Sequence, residues 1–367
     1  MCVGMGLAYL GAFHNPQPHD LRVDIVGSGP SAQVLAQTLQ DKGAGALDVR
    51  TVPDRGTAID GLEQQHVYGA YIPGAKPELL VASASSDTSA TAVEKVFTKV
   101  AAAQNAPLKV TDVTDLAEGD PTGQGIFFLL VALSIGSYAS VAVIGGAGAV
   151  LPLRIRALLA LGMSLLVSGI GAAFAGPMFH LVDTGLGGLW GMAWLYSAGI
   201  LLIGVGLHTF LKRWTTLGVM VLFVMLNFTS SGGIFRPELQ PGFFGALHAF
   251  WNGAGFVEGA RSHVYFAGNG LSGHVLVLAL WLLAGVALMG IAALAERRRG
   301  ADAAAAGAGA GARTGAGAGA GAGAAAGAGV GVAAGAGAGA AGGGGGREGA
   351  EELEDGVEEE LEEAVGV

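Results

Sequence analysis

From Gly125 to about Ala295 the sequence is nearly free of charge, and this constrains the chain more than any other feature. No Asp, Glu, Lys or Arg stands between Asp120 and Arg154, Arg156 and Asp183, Asp183 and Lys212, or Arg261 and Glu296. About 20 consecutive apolar residues cross the hydrocarbon layer as a helix, so each gap is expected to hold a membrane span. A shorter gap, Arg213 to Arg236, holds another. Spans are predicted over residues 126–148, 157–177, 187–210, 214–230 and 274–295. The fold class that follows is a membrane all-α helical bundle.

The flanking segments differ in kind. Residues 1–13, MCVGMGLAYLGAF, are apolar but too short to span about 30 Å at 1.5 Å per residue. They read as the second half of a first transmembrane helix, truncated at its start, or alternatively as a weak uncleaved anchor. Residues 14–123 have the composition of a soluble α/β domain. LRVDIVG and LDVRTVP read as strands, as do HVYGAYIP and ELLVASA around the turn Gly74–Pro77, and PLKVTDV closes the domain. Helices are predicted over 31–42, 54–65 (with Asp54 as N-cap) and 88–104. Gly27, Gly29 and Ala32 have the spacing of a dinucleotide fingerprint. A tight strand-to-helix turn needs the same glycines, and the turn is the reading adopted, so no cofactor is expected.

Composition supports the membrane assignment: 13% charged residues and a mean hydropathy of +0.54. The net charge of -10 owes much to the tail, where ten acids lie between Glu348 and Glu363. Sparse basic residues, mostly at span ends, argue against nucleic acid as a partner. A single cysteine, Cys2, leaves no internal disulfide or cysteine metal site. Residues 300–346 are almost wholly Ala and Gly, with no side chain large enough to build a core, so 300–367 is expected to be a disordered linker and acidic tail.

Orientation follows from Lys and Arg in the short connections. Arg154 and Arg156, Lys212 and Arg213, and Arg297 to Arg299 mark one set of turns. That set is expected in the cytoplasm, which places residues 14–123 outside and, with a completed first helix, gives six spans and both termini inside. Small residues at helical spacing, Gly171 with Ala175 and Gly187 with Gly191, are expected at helix-packing faces. Trp190, Trp194, Trp214 and Trp281 are expected near span ends.

No catalytic constellation stands out, and no enzyme activity is expected. The sequence has no G-x-x-x-x-G-K-[ST], hence no P-loop of its own. Ser164 and Ser168 with His208 would make an intramembrane hydrolase only within hydrogen-bond reach, and polar packing is preferred. His180, His248, His263 and His274 fit no compact metal spacing. The informative stretch is Asn227 to Gly273, too polar to cross and too apolar for an ordinary loop. Within it, Gly242 to Val257 carries no charge and follows Pro237 and Pro241. Residues 236–261 are therefore expected to form an interfacial or re-entrant segment. Arg236, Pro237, Glu258 and Arg261 are its candidate exit residues, and Glu258 and Arg261 at i and i+3 are placed to pair.

One span, an outer domain of about a hundred residues and five further spans resemble YhgE/Pip-type membrane proteins, an actinobacterial group related to ABC-2 type transporter permeases. The matching segments are FHNPQPHDLRVDIVG, VYGAYI, LLVASASSDTSATAVEKVF, VTDVTDLAEGDPTGQGIFFLL, SSGGIFRPELQP and GAGFVEGARSHVYF. Asn252 stands near a position where such relatives often carry proline. The resemblance implies an export-type permease or a related membrane function; the leading expectation is a permease subunit in the lipid bilayer of the plasma membrane that dimerises and works with a separate ABC ATPase, since the sequence has no P-loop of its own. The alternative is a receptor or scaffold whose outer domain binds a ligand, phage or envelope component.

Overall fold

The computed structural model describes residues 2–182 and 184–318. The chain divides into two units, Met1–Ala305 and Ala306–Val367, and the sheet and the bundle below, with α12 as far as Ala305, belong to the first. The fold is mostly helical with one small mixed sheet.

After helix α1 (Cys2–Phe13), the α/β part runs β1 (Leu21–Val26), α2 (Pro30–Gly43), β2 (Leu47–Val52), α3 (Arg55–Glu63), β3 (Gly69–Ile72), β4 (Glu78–Val81), α4 (Asp87–Ala103) and β5 (Lys109–Asp112). The strand order is β2-β1-β3-β4-β5, parallel except for the antiparallel β3/β4 pair around the predicted turn. The Asp54 carboxylate accepts from the Thr57 N–H at 2.9 Å, which is the N-cap expected for α3. Gly27, at φ 143°, approaches so closely that a Cβ would lie 3.0 Å from the Ala32 Cβ, the tight turn adopted from sequence.

Strand alternation gives the sheet two apolar faces. One packs on α2 and α4 through Leu21, Val23, Tyr71 and Phe97. The other packs on Ala58 and Leu62 of α3, and it takes in Phe266, a residue from the far side of the apolar block. The α/β part is therefore built onto the helical part through its own core.

The helical part comprises α5 (Gly125–Gly146), α6 (Leu153–Ala173, continued as a π-turn over Phe174–Met178), α7 (Leu186–Leu211), α8 (Thr215–Met220), α9 (Leu226–Ser230), α10 (Gly242–His248), α11 (Asn252–Tyr265) and α12 (Leu271–Ala318). Among the described residues, four stretches are long and apolar enough to cross a membrane: Gly125–Gly146, Leu153–Met178, Leu186–Ser230 and Leu271–Asp302. Their outward faces are apolar, with Leu158, Leu166 and Ile170 exposed on α6, and Leu276, Leu283 and Ile291 on α12. Such surface is costly in water and compatible with lipid.

The third stretch folds back on itself. Asn227 Nδ2 donates to the Tyr196 hydroxyl at 2.6 Å, although 31 residues of straight helix would separate them by about 46 Å. The reversal falls at Lys212, which adopts φ 49°. Residues 187–210 and 214–230 are thus the two antiparallel arms that the basic pair Lys212–Arg213 predicted.

Helices α10 and α11 form a hairpin against the bundle: α11 is buried from Asn252 to Ser262, whereas Phe244 is the buried residue of α10. Its tip is fixed by Trp281, whose indole donates to the Phe250 carbonyl at 2.8 Å and stacks edge-on against Trp251 at 5.1 Å. Trp281 lies ten residues into α12, about 15 Å along it, so the tip reaches well below the start of that helix. The turn within residues 236–261 is thus held against the side of α12. Trp281, expected near a span end, here holds the hairpin tip.

Two other expectations are corrected. Gly187 and Gly191 face open space, whereas Gly171 packs on Leu133 and Ala175 is fully buried. An i, i+4 spacing defines a helix face but not which way it turns; Gly185 and Gly188 make the close approach there, to His263. Residues 300–318, read as linker, continue α12, since Ala propagates a helix already nucleated upstream. The remaining linker and acidic tail, and Asp183, lie outside the described residues.

Candidate functional site

The four candidate exit residues come together where the hairpin meets the α/β part. Pro237 opens a short 3₁₀ turn, Pro237–Leu239, and holds the preceding Arg236 extended at φ -67°, ψ 158°. This aims the Arg236 guanidinium at Glu258, with which it forms a close ion pair. Arg261, one turn beyond Glu258 on α11, contacts the other carboxylate oxygen at 3.3 Å. The expected Glu258–Arg261 pair is present, but it sits in a three-membered cluster whose side chains are only 2–6% exposed.

The remaining donors reach in both directions. Arg236 donates to Ser85 Oγ at 2.7 Å and Gln65 Oε1 at 3.1 Å, both in the α/β part. Arg261 donates to the carbonyls of Gly232 and Gly233 at 2.8 and 2.9 Å. Those glycines are required: Gly232 has φ +73° and a Cβ there would meet His248, while a Cβ on Gly233 would fall 2.0 Å from the Phe127 ring. Above the cluster lies a second polar layer. Glu238 accepts from the Tyr68 hydroxyl at 2.8 Å and pairs with Arg22 at 3.3 Å. Arg22 and Arg236 both stand over the Tyr68 ring, at 5.6 and 5.9 Å.

Burial by itself would raise the Glu258 carboxyl, but Arg236 and then Arg261 hold it down at about 2. Burial lowers Arg261 to about 10 despite Glu258. Burial by itself would lower Arg236, but Glu258, together with Tyr68 and Glu238, raises it overall. At neutral pH the cluster is therefore fully ionised, with two cations on one anion. A carboxyl so far below neutrality is unsuited to general acid or base work at pH 7; the arrangement is suited to clamping.

His248 sits beside the cluster with Nδ1 3.0 Å from the Ser230 carbonyl, and burial lowers its pKa. Both it and Glu258 have depressed folded pKa values, so each contributes stability that is present above its unfolded pKa and lost as pH falls through the folded one. Unfolding temperature in detergent is expected to fall first below about pH 6.5, through His248, and again below about pH 4.3, through Glu258. Glu258→Gln should weaken the second decline, which Asp54 and Glu78 share because hydrogen bonds from Thr57 and Thr111 hold their carboxyls down as well, and keep the first.

The other candidates disperse. Ser164 and Ser168 donate to carbonyls of their own helix, at 2.7 and 3.2 Å. His208 instead lies against Gly145, where a Cβ would approach its ring to 2.8 Å. The basic turns gather at the end of the bundle away from the sheet: Arg156 pairs with Glu296, and Arg299 donates to the Thr209 carbonyl at 3.2 Å. Sequence reading missed Gln65, Tyr68 and Ser85. Each is an ordinary polar residue about 150 positions or more from its partner, and only the Arg on the other side carried a signal.

These features define a bundle of apolar helices, compatible with a membrane, that carries an α/β part held to the hairpin segment by the Arg236 hydrogen bonds to Ser85 and Gln65 and by the half-buried Arg22–Glu238 pair. No family model, curated protein or solved structure matches this chain.

Proposed function

We propose that the chain is a multi-pass plasma-membrane protein of the YhgE/Pip type, an export permease subunit without its own ATPase. In this reading α1 belongs to the first of six spans, residues 14–123 lie outside and both termini are cytoplasmic. The observation that carries it is the Arg236–Glu258–Arg261 cluster. It ties an outer domain to a hairpin inside the bundle, so movement of either is transmitted to the other, as alternating access across a membrane requires. The clustering of basic turns at the far end supports the sidedness. Reporter fusions after Gly123 and after Arg299 are expected to read outside and inside respectively. Mild-detergent purification is expected to recover a P-loop ATPase; repeated failure to do so would count against the permease.

A receptor reading draws on a different observation. A cavity of about 620 Å³ lies between α4 and the chain before the hairpin, lined by Pro16, Pro18, Thr91, Lys95 and Phe235. Its size suits a small ligand. Deleting residues 20–120 separates the two: loss of surface binding with export phenotypes intact favours the receptor.

A further inference from the structure

A second polar cluster lies deeper, at the tip of the hairpin. The amide of Asn227 donates to the Tyr196 hydroxyl at 2.6 Å and to the Phe223 carbonyl at 2.9 Å. Its oxygen accepts from the backbone N–H of Gly253 at 3.1 Å, the second residue of α11. Tyr196 in turn meets Ser134 Oγ at 2.5 Å, and Ser134 donates to the Leu130 carbonyl at 2.7 Å. With that proton committed, Tyr196 donates to Ser134. The chain Asn227 to Tyr196 to Ser134 to Leu130 is directional and satisfied.

Its immediate neighbours are not. Asn252, the residue before Gly253, is 0% exposed, and neither its amide oxygen nor its amide nitrogen has a protein partner. Ser137, one turn beyond Ser134, and Ser197, next to Tyr196, are also 0% exposed with hydroxyls that find no protein partner. A buried amide or hydroxyl without a hydrogen bond forfeits its interaction with water and gains nothing in return. Four such atoms, on residues next in sequence to, or one helical turn from, members of a saturated chain, are an unusual arrangement in a dry core. All the groups are neutral, and together they offer both donors and acceptors. The site therefore matches neither a cation nor an anion.

We infer that Asn252, with Ser137 and Ser197, forms a binding site inside the bundle for neutral hydroxyl-bearing ligands, water or a small polyol. The tip of a helix that starts within a bundle is a position at which polar ligands are held in membrane proteins. The inference stands on the side chains alone and does not depend on the permease reading.

Hydroxyl-radical labelling of the purified full chain in nanodiscs tests it, because radicals form where water is held. Tyr196, 1% exposed, should be oxidised several-fold faster than Phe97, 0% exposed in the core of the α/β part. Asn252→Leu should bring Tyr196 down to the rate of Phe97; should that variant not fold, Ser137→Ala and Ser197→Ala serve in its place. Tyr196 labelling no faster than that of Phe97 overturns the site, and fast labelling unchanged by all three variants overturns its assignment to these residues. Added glycerol, which also scavenges radicals, distinguishes the sources once labelling is normalised to exposed Val34 of the α/β part: protection of Tyr196 beyond that of Val34 assigns the site to a polyol, and protection equal to it assigns it to water.

Discussion

Glu258→Ala is expected to destabilise the chain by about 3–5 kcal/mol, the cost of removing one partner from a buried ion cluster. The reason is asymmetry. Glu258 is the single carboxylate between Arg236 and Arg261, so its loss leaves two buried guanidiniums facing each other with no anion between them. Arg261 keeps the Gly232 and Gly233 carbonyls and Arg236 keeps Ser85 and Gln65, so some of the structure survives. What weakens is the junction: the α/β part should become susceptible to protease at residues 231–241 before the bundle unfolds. Thermal unfolding and limited proteolysis in detergent measure both effects. Replacing all three charges by apolar residues of similar volume should cost less than Glu258→Ala, because no charge is then left buried without a partner. A single variant no less stable than the triple would show that the cluster is more open to solvent than its burial indicates.

Much of this was legible in the sequence, for identifiable reasons. Hydropathy located the apolar helices because about 20 residues without charge have few other uses, and strand alternation with the Asp54 cap located the α/β elements. The reversal at Lys212 was legible because two adjacent basic residues interrupt an apolar run. The i, i+3 spacing announced the Glu258–Arg261 pair. The third member, Arg236, was singled out but not joined to them, since the pairing depends on how a hairpin folds across 22 residues. The Asn252 site was invisible for a stronger reason: Asn, Ser and Tyr are unremarkable in any segment, and only their burial without partners makes them notable. Gly187 and Gly191 show the converse, a clear motif on a face that the chain leaves uncovered.

The close approach of the hairpin tip yields the second large effect. Gly253→Ala would place a Cβ 2.5 Å from Asn227 Oδ1 and 2.9 Å from its Cγ. Asn227 cannot swing aside without breaking its bonds to Tyr196, Phe223 and the Gly253 N–H. Alanine gains up to about 1 kcal/mol of helix propensity over glycine. Against this stand about 1–3 kcal/mol of overpacking and about 1 kcal/mol for each hydrogen bond surrendered. The net expectation is a loss of about 2–4 kcal/mol, the propensity gain included. Because the tip is displaced, Trp251 and Trp281, whose rings stack at 5.1 Å, should separate and their fluorescence should change. Asn227→Ala removes the obstructing amide, so adding it to Gly253→Ala should cost less than the sum of the two single changes. Strict additivity, with fluorescence unaltered, would mean that α11 begins farther from Asn227 than the 3.1 Å hydrogen bond between them implies.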